Sequence, residues 1–354
     1  MLLKVVLMNY RPLALAFSLA FAYSVNLSGC DRTASLTDQE HIQRAKDFED
    51  KGNLNGSVVE LKNALQKNPD NAQARLLLGQ IYLKAGMGAE AEKELLQAMK
   101  LGVNSESIKP QLGKALLLMG EYRRVLAEVQ PGEQTSPANL AQILQLQGDA
   151  KLGMRNLDEA CELFRKSIEV NDKHVPGYWG MAKCAIIKND PAGARQQLDL
   201  AIKLAPDNAD TWVMLGDLAR NNGTLQEAES AYGQALKVDP EHNAALVSRT
   251  LLFISESKPE KAQADLNKIR QLAPDHYLSH YLQGALLYST GKYAEAMEAA
   301  QKSLKINPGY APAVRLSGIL HYNLNAHEQA IQSLRQYLQK APGDALMHKL
   351  LAAA

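Results

Sequence analysis

Asn208-Ala209-Asp210-Thr211-Trp212-Val213-Met214-Leu215-Gly216 opens a stretch that closes at Pro240, and its spacing decides the fold. Outward from Pro240, prolines recur at Pro206, Pro274, Pro308 and Pro342, each 34 residues from the next. Self-similarity at a fixed interval of this size is the signature of a stacked array of small structural units. One interval before Pro206 lies Asp172, in Val170-Asn171-Asp172, which keeps the turn chemistry without the ring. With the proline placed at position 32, units begin at Asp38, Ala72, Glu106, Ala141, Val175, Ala209, Asn243, Tyr277 and Ala311. Nine units result over residues 38–344, with a one-residue insertion between the third and fourth.

Small residues recur at position 8 (Gly79, Gly113, Gly148, Gly216, Gly284, Gly318) and position 20 (Ala91, Ala160, Ala194, Ala228, Ala262). Bulky ones recur at position 24 (Leu61, Leu95, Phe164, Tyr232, Leu334). Large beside small is how two helices reach close packing. Position 15 holds Gly52, Gly86, Gly120, Gly223 and Gly291, or Asn189 and Asn325. These residues most easily take the left-handed conformation that ends a helix, so each unit reads as helix, tight turn, helix.

This pattern resembles the tetratricopeptide repeat, with Trp212, Leu215, Gly216, Ala228, Tyr232, Ala235 and Pro240 in that family's slots. The resemblance implies an all-α fold, a right-handed α-solenoid of about nine such repeats. Each unit relies on its neighbours to bury its apolar face. Two units depart from the pattern. The seventh carries Arg249 and Thr250 where Leu and Gly are expected, and the third ends early at Pro131-Gly132, with Pro137 close behind. Proline inside a helix costs about 3 kcal/mol. The second helix of unit three should therefore stop near Gln130, leaving a kink or soft joint over residues 131–137. Residues 345–354 read as the start of a tenth repeat or a short capping helix, and continuation of the chain beyond Ala354 is the favoured expectation.

In this repeat family the first helices line a concave groove through positions 2, 5, 9 and 12. Early units place Lys46, Glu49, Gln73, Gln80 and Lys114 there, a mixed polar set. Later units place Trp179, Ile186, Val213, Val247, Leu251, Ile254, Leu278, Tyr281, Tyr288, Ile319 and Tyr322, so the stripe turns apolar and aromatic. Aromatic anchors on rigid helices bury large area at low entropic cost, and a helical or extended peptide is the expected guest. The competing reading is that these side chains pack internally. The Lys and Asn pair with which some family members grip a C-terminal carboxylate occurs in no unit.

Composition narrows the chemistry. Of 354 residues, 46% are hydrophobic and 22% charged, which excludes a disordered chain. Lys and Arg number 39 against 38 Asp and Glu, a net charge of +1, so there is no cationic excess for a nucleic-acid partner. His276 and His280 are four apart, but no third ligand accompanies them and no metal is expected. No strand precedes Gly86-Met87-Gly88 to make it a phosphate cradle, and no serine elbow, carboxylate pair or Cys/His dyad stands out. Neither catalysis nor a cofactor is expected. Cys161 and Cys184 fall on adjoining helices and could bridge. Two buried thiols are the favoured reading, because a bridge needs Cα atoms within about 7 Å.

At the other end, Lys4 and Arg11 precede an apolar run from Pro12 to Tyr23, the layout of a secretory leader. It is short for a bilayer-spanning helix, and Met8 offers an alternative start. The run closes on Leu27-Ser28-Gly29-Cys30, which resembles the lipobox of bacterial lipoproteins. Residues 1–29 then form the signal peptide, Cys30 carries the lipid, and residues 30–37 are a polar tether. Asp31 resembles an inner-membrane retention signal, though inner and outer membrane both stay open. Taken with Cys30-Asp31-Arg32, the run Ser57-Val58-Val59-Glu60-Leu61-Lys62-Asn63-Ala64-Leu65 through Arg75 and Leu77-Leu78-Gly79-Gln80-Ile81-Tyr82 resembles the PEP-CTERM system TPR-repeat lipoprotein (PrsT) family. That family's members are longer than this chain. The resemblance implies a lipid-anchored protein facing the periplasm of a Gram-negative bacterium, in exosortase-type sorting and exopolysaccharide production. A pilus or secretion-machine assembly lipoprotein and the regulatory portion of a longer enzyme are the alternatives.

Overall fold

A computed structural model describes residues 36–354; the expected leader, Cys30 and the expected tether up to residue 35 lie outside the described residues. Helix formation starts at Thr37, whose hydroxyl accepts from the Glu40 amide at 3.2 Å while the Glu40 carboxylate accepts from the Thr37 amide at 2.8 Å. Two orphan donors of the first turn are thereby satisfied reciprocally.

Two compact units follow, one reaching to Leu204 and one spanning Ala205–Ala354. The first holds five helix hairpins: α1 (Asp38–Asp50) with α2 (Leu54–Lys67), α3 (Ala72–Lys84) with α4 (Gly88–Lys100), α5 (Ser105–Met119) with α6 (Tyr122–Glu128), α7 (Pro137–Gly153) with α8 (Leu157–Val170), and α9 (Val175–Ile187) with α10 (Pro191–Leu204). The second holds α11 (Ala209–Asn221) with α12 (Leu225–Val238), α13 (Asn243–Ser255) with α14 (Pro259–Leu272), α15 (Tyr277–Ser289) with α16 (Tyr293–Ile306), α17 (Ala311–Asn323) with α18 (His327–Lys340), and a closing α19 (Ala345–Ala353). Every regular element among the described residues is an α-helix. In each unit the second helix of one hairpin packs on the first helix of the next, which makes each an α-solenoid stack. Seven of the nine expected unit starts are the first residue of a helix.

Close approach within hairpins depends on the small residues. A Cβ at Gly79 would lie 2.8 Å from Leu95 Cγ, and one at Gly318 2.8 Å from a Leu334 methyl. Gly216 gives the same room to Tyr232, which is fully buried. The turn position is left-handed in all nine hairpins. Besides the expected Gly and Asn residues, Arg155 (φ 63°) and Ser257 (φ 56°) adopt it too, so the geometry of the hairpin overrides their local preference.

The third hairpin is the irregular one. α6 is only seven residues long and ends at Glu128, as the prolines require, and α7 starts four residues before the expected Ala141. Ser136 supplies the cap, accepting from the Asn139 amide at 3.3 Å, and Pro137 fills the first helical position, where its missing N–H costs nothing. The joint expected over residues 131–137 is, up to Ser136, a non-helical turn held by hydrogen bonds. Gly132 N donates to Thr135 Oγ1 at 2.7 Å, the Thr135 hydroxyl donates to Glu106, and Gln147 Nε2 donates to the buried Val129 carbonyl at 2.9 Å. Pro110, inside α5, has no N–H for the Glu106 carbonyl; Asn139 Nδ2 takes that carbonyl instead, at 3.1 Å.

The favoured reading of Cys161 and Cys184 as free thiols is corrected: the two are disulfide-bonded, with Cα atoms 5.9 Å apart. Helices of adjoining hairpins approach closely enough at the α8–α9 seam to bring the sulfurs together, against Phe164 and Met181. The tail forms α19, whose Met347 is buried on Leu334 and Leu338 of α18.

Arg249 at its irregular slot is explained by a partner within its own hairpin. It donates to both oxygens of Asp265 at 2.7 and 2.8 Å, and Asp265 is 5% exposed. Arg75 with Glu94 and Arg44 with Glu60 repeat the arrangement at the same acidic position.

Candidate protein-binding face

The expected groove residues fall on the first helices of the hairpins, and the two units carry different shares of them. In the first unit Trp179 is part-buried on α9, between the buried Tyr178 and Gly180. The polar slot residue Glu49 is taken by Lys84 of the next first helix, 2.5 Å away.

In the second unit the apolar stripe runs over α13, α15 and α17. Leu251, Ile254, Leu278 and Tyr281 rest on a core of Leu282, Leu286 and Val247. Tyr281 and Tyr288 also lean on Met297 and Leu316, next along the stack. These side chains are half-buried, with part of each left in solvent. Val213 and Val247 do not: at 4% and 6% exposure they close the core and present almost no area. A valine at position 5 is covered by its neighbours, whereas the larger Tyr281 at the same slot stays half-buried, with its hydroxyl end enclosed.

Tyr281 is positioned by other aromatics. Its ring meets Tyr310 edge-on with centroids 5.2 Å apart, and Tyr310 meets Tyr277 at 4.8 Å. Such edge-to-face pairs add stabilisation beyond area burial. Burial pushes the Tyr281 hydroxyl above the ordinary phenol range. Tyr322 sets its ring against His327 at 6.2 Å.

Polar groups at the two ends of the stripe are occupied by the fold. Asp217, in a groove slot of α11, accepts from Tyr232 Oη at 2.6 Å, Arg220 at 3.3 Å and Ser248 Oγ at 3.4 Å. Asp344 accepts from the Met347 amide at 3.2 Å, Tyr337 Oη at 3.1 Å and Arg315 Nε at 3.3 Å. Burial raises the Asp344 carboxyl, but these hydrogen bonds outweigh it and hold the group below its usual value. His276 serves as a cap, its Nδ1 accepting from the Leu278 amide at 3.2 Å. Groups of three or more metal-ligating side chains do not occur among the described residues.

Sequence reasoning missed a cavity of about 440 Å³ between α6, α7 and α8, lined by Leu126, Gln147 and Leu163. It lies beside the shortened α6, and the early prolines were its only signal. Its charged rim is closed on itself, with Lys151 2.5 Å from Glu159.

Family profiles described as tetratricopeptide repeat match residues 50–110 and 287–354, 146–209 and 251–311, and 209–242. Type IV pilus assembly protein PilF of Pseudomonas aeruginosa is 22% identical over 232 residues, 62% of this chain and 92% of PilF. Human Protein O-mannosyl-transferase TMTC3 is 23% identical over 225 residues, 62% of this chain. The chain spans 22% of the length of that human relative. Among solved structures, the APC/C hetero-tetramer Cut9–Hcn1 superposes with a TM-score of 0.59 at 13% identity, covering 89% of this chain and 75% of that one. At such identity the likeness is one of fold.

Proposed function

The chain belongs to the tetratricopeptide repeat superfamily, and from that premise we propose that it is a non-enzymatic scaffold that holds polypeptide partners at a bacterial cell envelope. The observation that carries this reading is the half-buried aromatic and aliphatic stripe of Leu251, Ile254, Leu278, Tyr281, Tyr288 and Tyr322. Rigid helices hold these side chains at fixed spacing, so a helical or extended segment gains apolar contact without ordering the face itself. Anchoring through a lipid on Cys30, exposure to the periplasm and the absence of a nucleic-acid partner belong to the same reading. The leader sequence and the balanced charge support them.

Within that role the protein serves exosortase-type sorting and exopolysaccharide production, on the strength of the lipobox and the Ser57–Arg75 resemblance. A pilus-assembly role is the second reading, favoured by the similarity that covers 92% of PilF. Capture of envelope partners from detergent extracts by the wild-type chain, by Tyr288→Ala and by Tyr322→Ala tests the scaffold. Loss of the same partners in both variants is expected, and an unchanged partner set overturns the assignment of the face. Mass spectrometry of the mature N-terminus tests the anchor; a Cys30 without acyl chains overturns it.

A further inference from the structure

In the second unit, α12, α14 and α16 each end on an exposed aliphatic residue: Val238, Leu272 and Ile306, at 39%, 43% and 40% exposure. Their 34-residue spacing puts them at equivalent places, along one edge of the stack. Cations flank them. Lys268, Arg270, Lys302 and Lys305 have no carboxylate within 4 Å among the described residues. At the opposite end of α14, by contrast, Lys258 and Lys261 share Glu229 at 3.1 and 2.7 Å. The His280 imidazole is held below its usual value by burial and then by both Lys302 and Arg270, with Asp275 opposing them more weakly, so these charges act on the same neighbourhood. In the turns after α14 and α16, Asp275 is the one acidic residue; the second turn runs Asn307-Pro308-Gly309-Tyr310.

We propose that this edge, with Leu272 and Ile306 flanked by Arg270, Lys302 and Lys305, is a peripheral contact surface for an anionic lipid bilayer. Aliphatic tips beside unpaired ammonium and guanidinium groups match the boundary between headgroups and acyl chains, where the apolar atoms enter and the cations meet phosphate. Each basic residue near such a surface raises partitioning by about fivefold. A polypeptide ligand is gripped from several sides by a recess. Here the apolar groups stand at helix ends among exposed neighbours, a shape that suits a broad plane. The edge lies on second helices, apart from the stripe on first helices, and its role holds whether or not Cys30 is acylated.

The test is amide hydrogen exchange on the full chain reconstituted in nanodiscs of phosphatidylcholine alone or with about 30% phosphatidylglycerol. Exchange over residues 270–275 and 303–310 is expected to slow by about fivefold or more in the anionic discs. Lys302→Glu/Lys305→Glu, with its melting temperature unchanged, should abolish the difference. Ile306→Ser, at an exposed helix end, should reduce it if the double variant folds poorly. Equal rates in the two kinds of disc, or protection that survives these substitutions, overturn the proposal. So does equal protection produced in neutral discs by soluble polyglutamate, which would make an acidic polypeptide the ligand.

Discussion

Arg155 and Ser257 occupy the left-handed turn position that glycine or asparagine fills in the other seven hairpins. Both are exposed, and neither side chain makes a hydrogen bond or ion pair among the described residues. Replacing either with glycine therefore removes no hydrogen bond or ion pair. An L-residue in this conformation carries a strain of about 1–2 kcal/mol. Glycine escapes it but widens the unfolded ensemble, at a cost of about 0.4–1 kcal/mol. The net expectation for Arg155→Gly and for Ser257→Gly is a gain of about 0.5–1 kcal/mol each. Gly223, with φ of 80° and open space around an added Cβ, supplies the mirror experiment, since Gly223→Ala should lose about as much. Urea unfolding followed by far-UV circular dichroism reads the effect as a shift in midpoint at constant slope. Thermal midpoints should move by about 1–4 °C, upward for the first two variants and downward for the third. If all three variants moved the midpoint in the same direction, backbone strain at the turn would not be what distinguishes these positions.

Asn139→Ala should cost about 1–2 kcal/mol in urea unfolding, because it strands the Glu106 carbonyl that Pro110 cannot serve; a neutral result means water replaces the amide. Arg249→Leu should cost about 2–3 kcal/mol, short of the full penalty for a buried pair because Arg249 is 21% exposed, while Arg249→Leu/Asp265→Leu should return to within about 1 kcal/mol of wild type. Equal losses in the single and double variants would refute the ion-pair account. Reducing Cys161–Cys184 should destabilise the first unit by about 3 kcal/mol for a closure of 23 residues; two free thiols in the denatured, unreduced chain would sink this. Burial holds the His276 imidazole below its ordinary value, so the unfolded chain binds the proton more readily and stability is lost as pH falls below about 6.5. His276→Asn keeps a cap on Leu278 and should lessen the loss of stability between about pH 6.5 and 5, the remainder coming from His174, His280 and His321, which burial also holds low; an unchanged pH profile removes His276 from the account.

The repeat was legible because proline, glycine and small residues act locally. Pro206, Pro240 and Pro274 cannot continue a helix, and Gly216 is required wherever Tyr232 must fit, so their spacing alone located most helix starts. Arg155 and Ser257 escaped notice because nothing in an arginine or a serine announces a left-handed turn; the hairpin imposes it from both sides. Pro137 reads as a breaker from composition, yet after Ser136 it is a helix start, and that single ambiguity displaced the fourth unit by one turn. The disulfide depends on the distance between two adjoining helices, which sequence spacing along each helix does not contain.

For the binding face, slot number predicts direction but not area. Position 5 points the same way in α11, α13 and α15, yet Val213 and Val247 are covered while the larger Tyr281 stays half-buried. Its packing has a consequence for how the face must be tested. Tyr281 is wedged between Tyr310 and the Met297–Leu316 packing, and truncating so large a side chain costs about 3–5 kcal/mol in a core. A partner lost in Tyr281→Ala would therefore report on folding as much as on contact. Tyr281→Phe deletes only the buried hydroxyl and spares the edge-on ring contact, so it should leave partner capture unchanged. Tyr322, whose described ring partner is His327 alone, can be truncated at lower structural cost. Partner loss in Tyr322→Ala and Tyr288→Ala, with melting temperatures kept, is the combination that a merely structural role for the stripe does not produce.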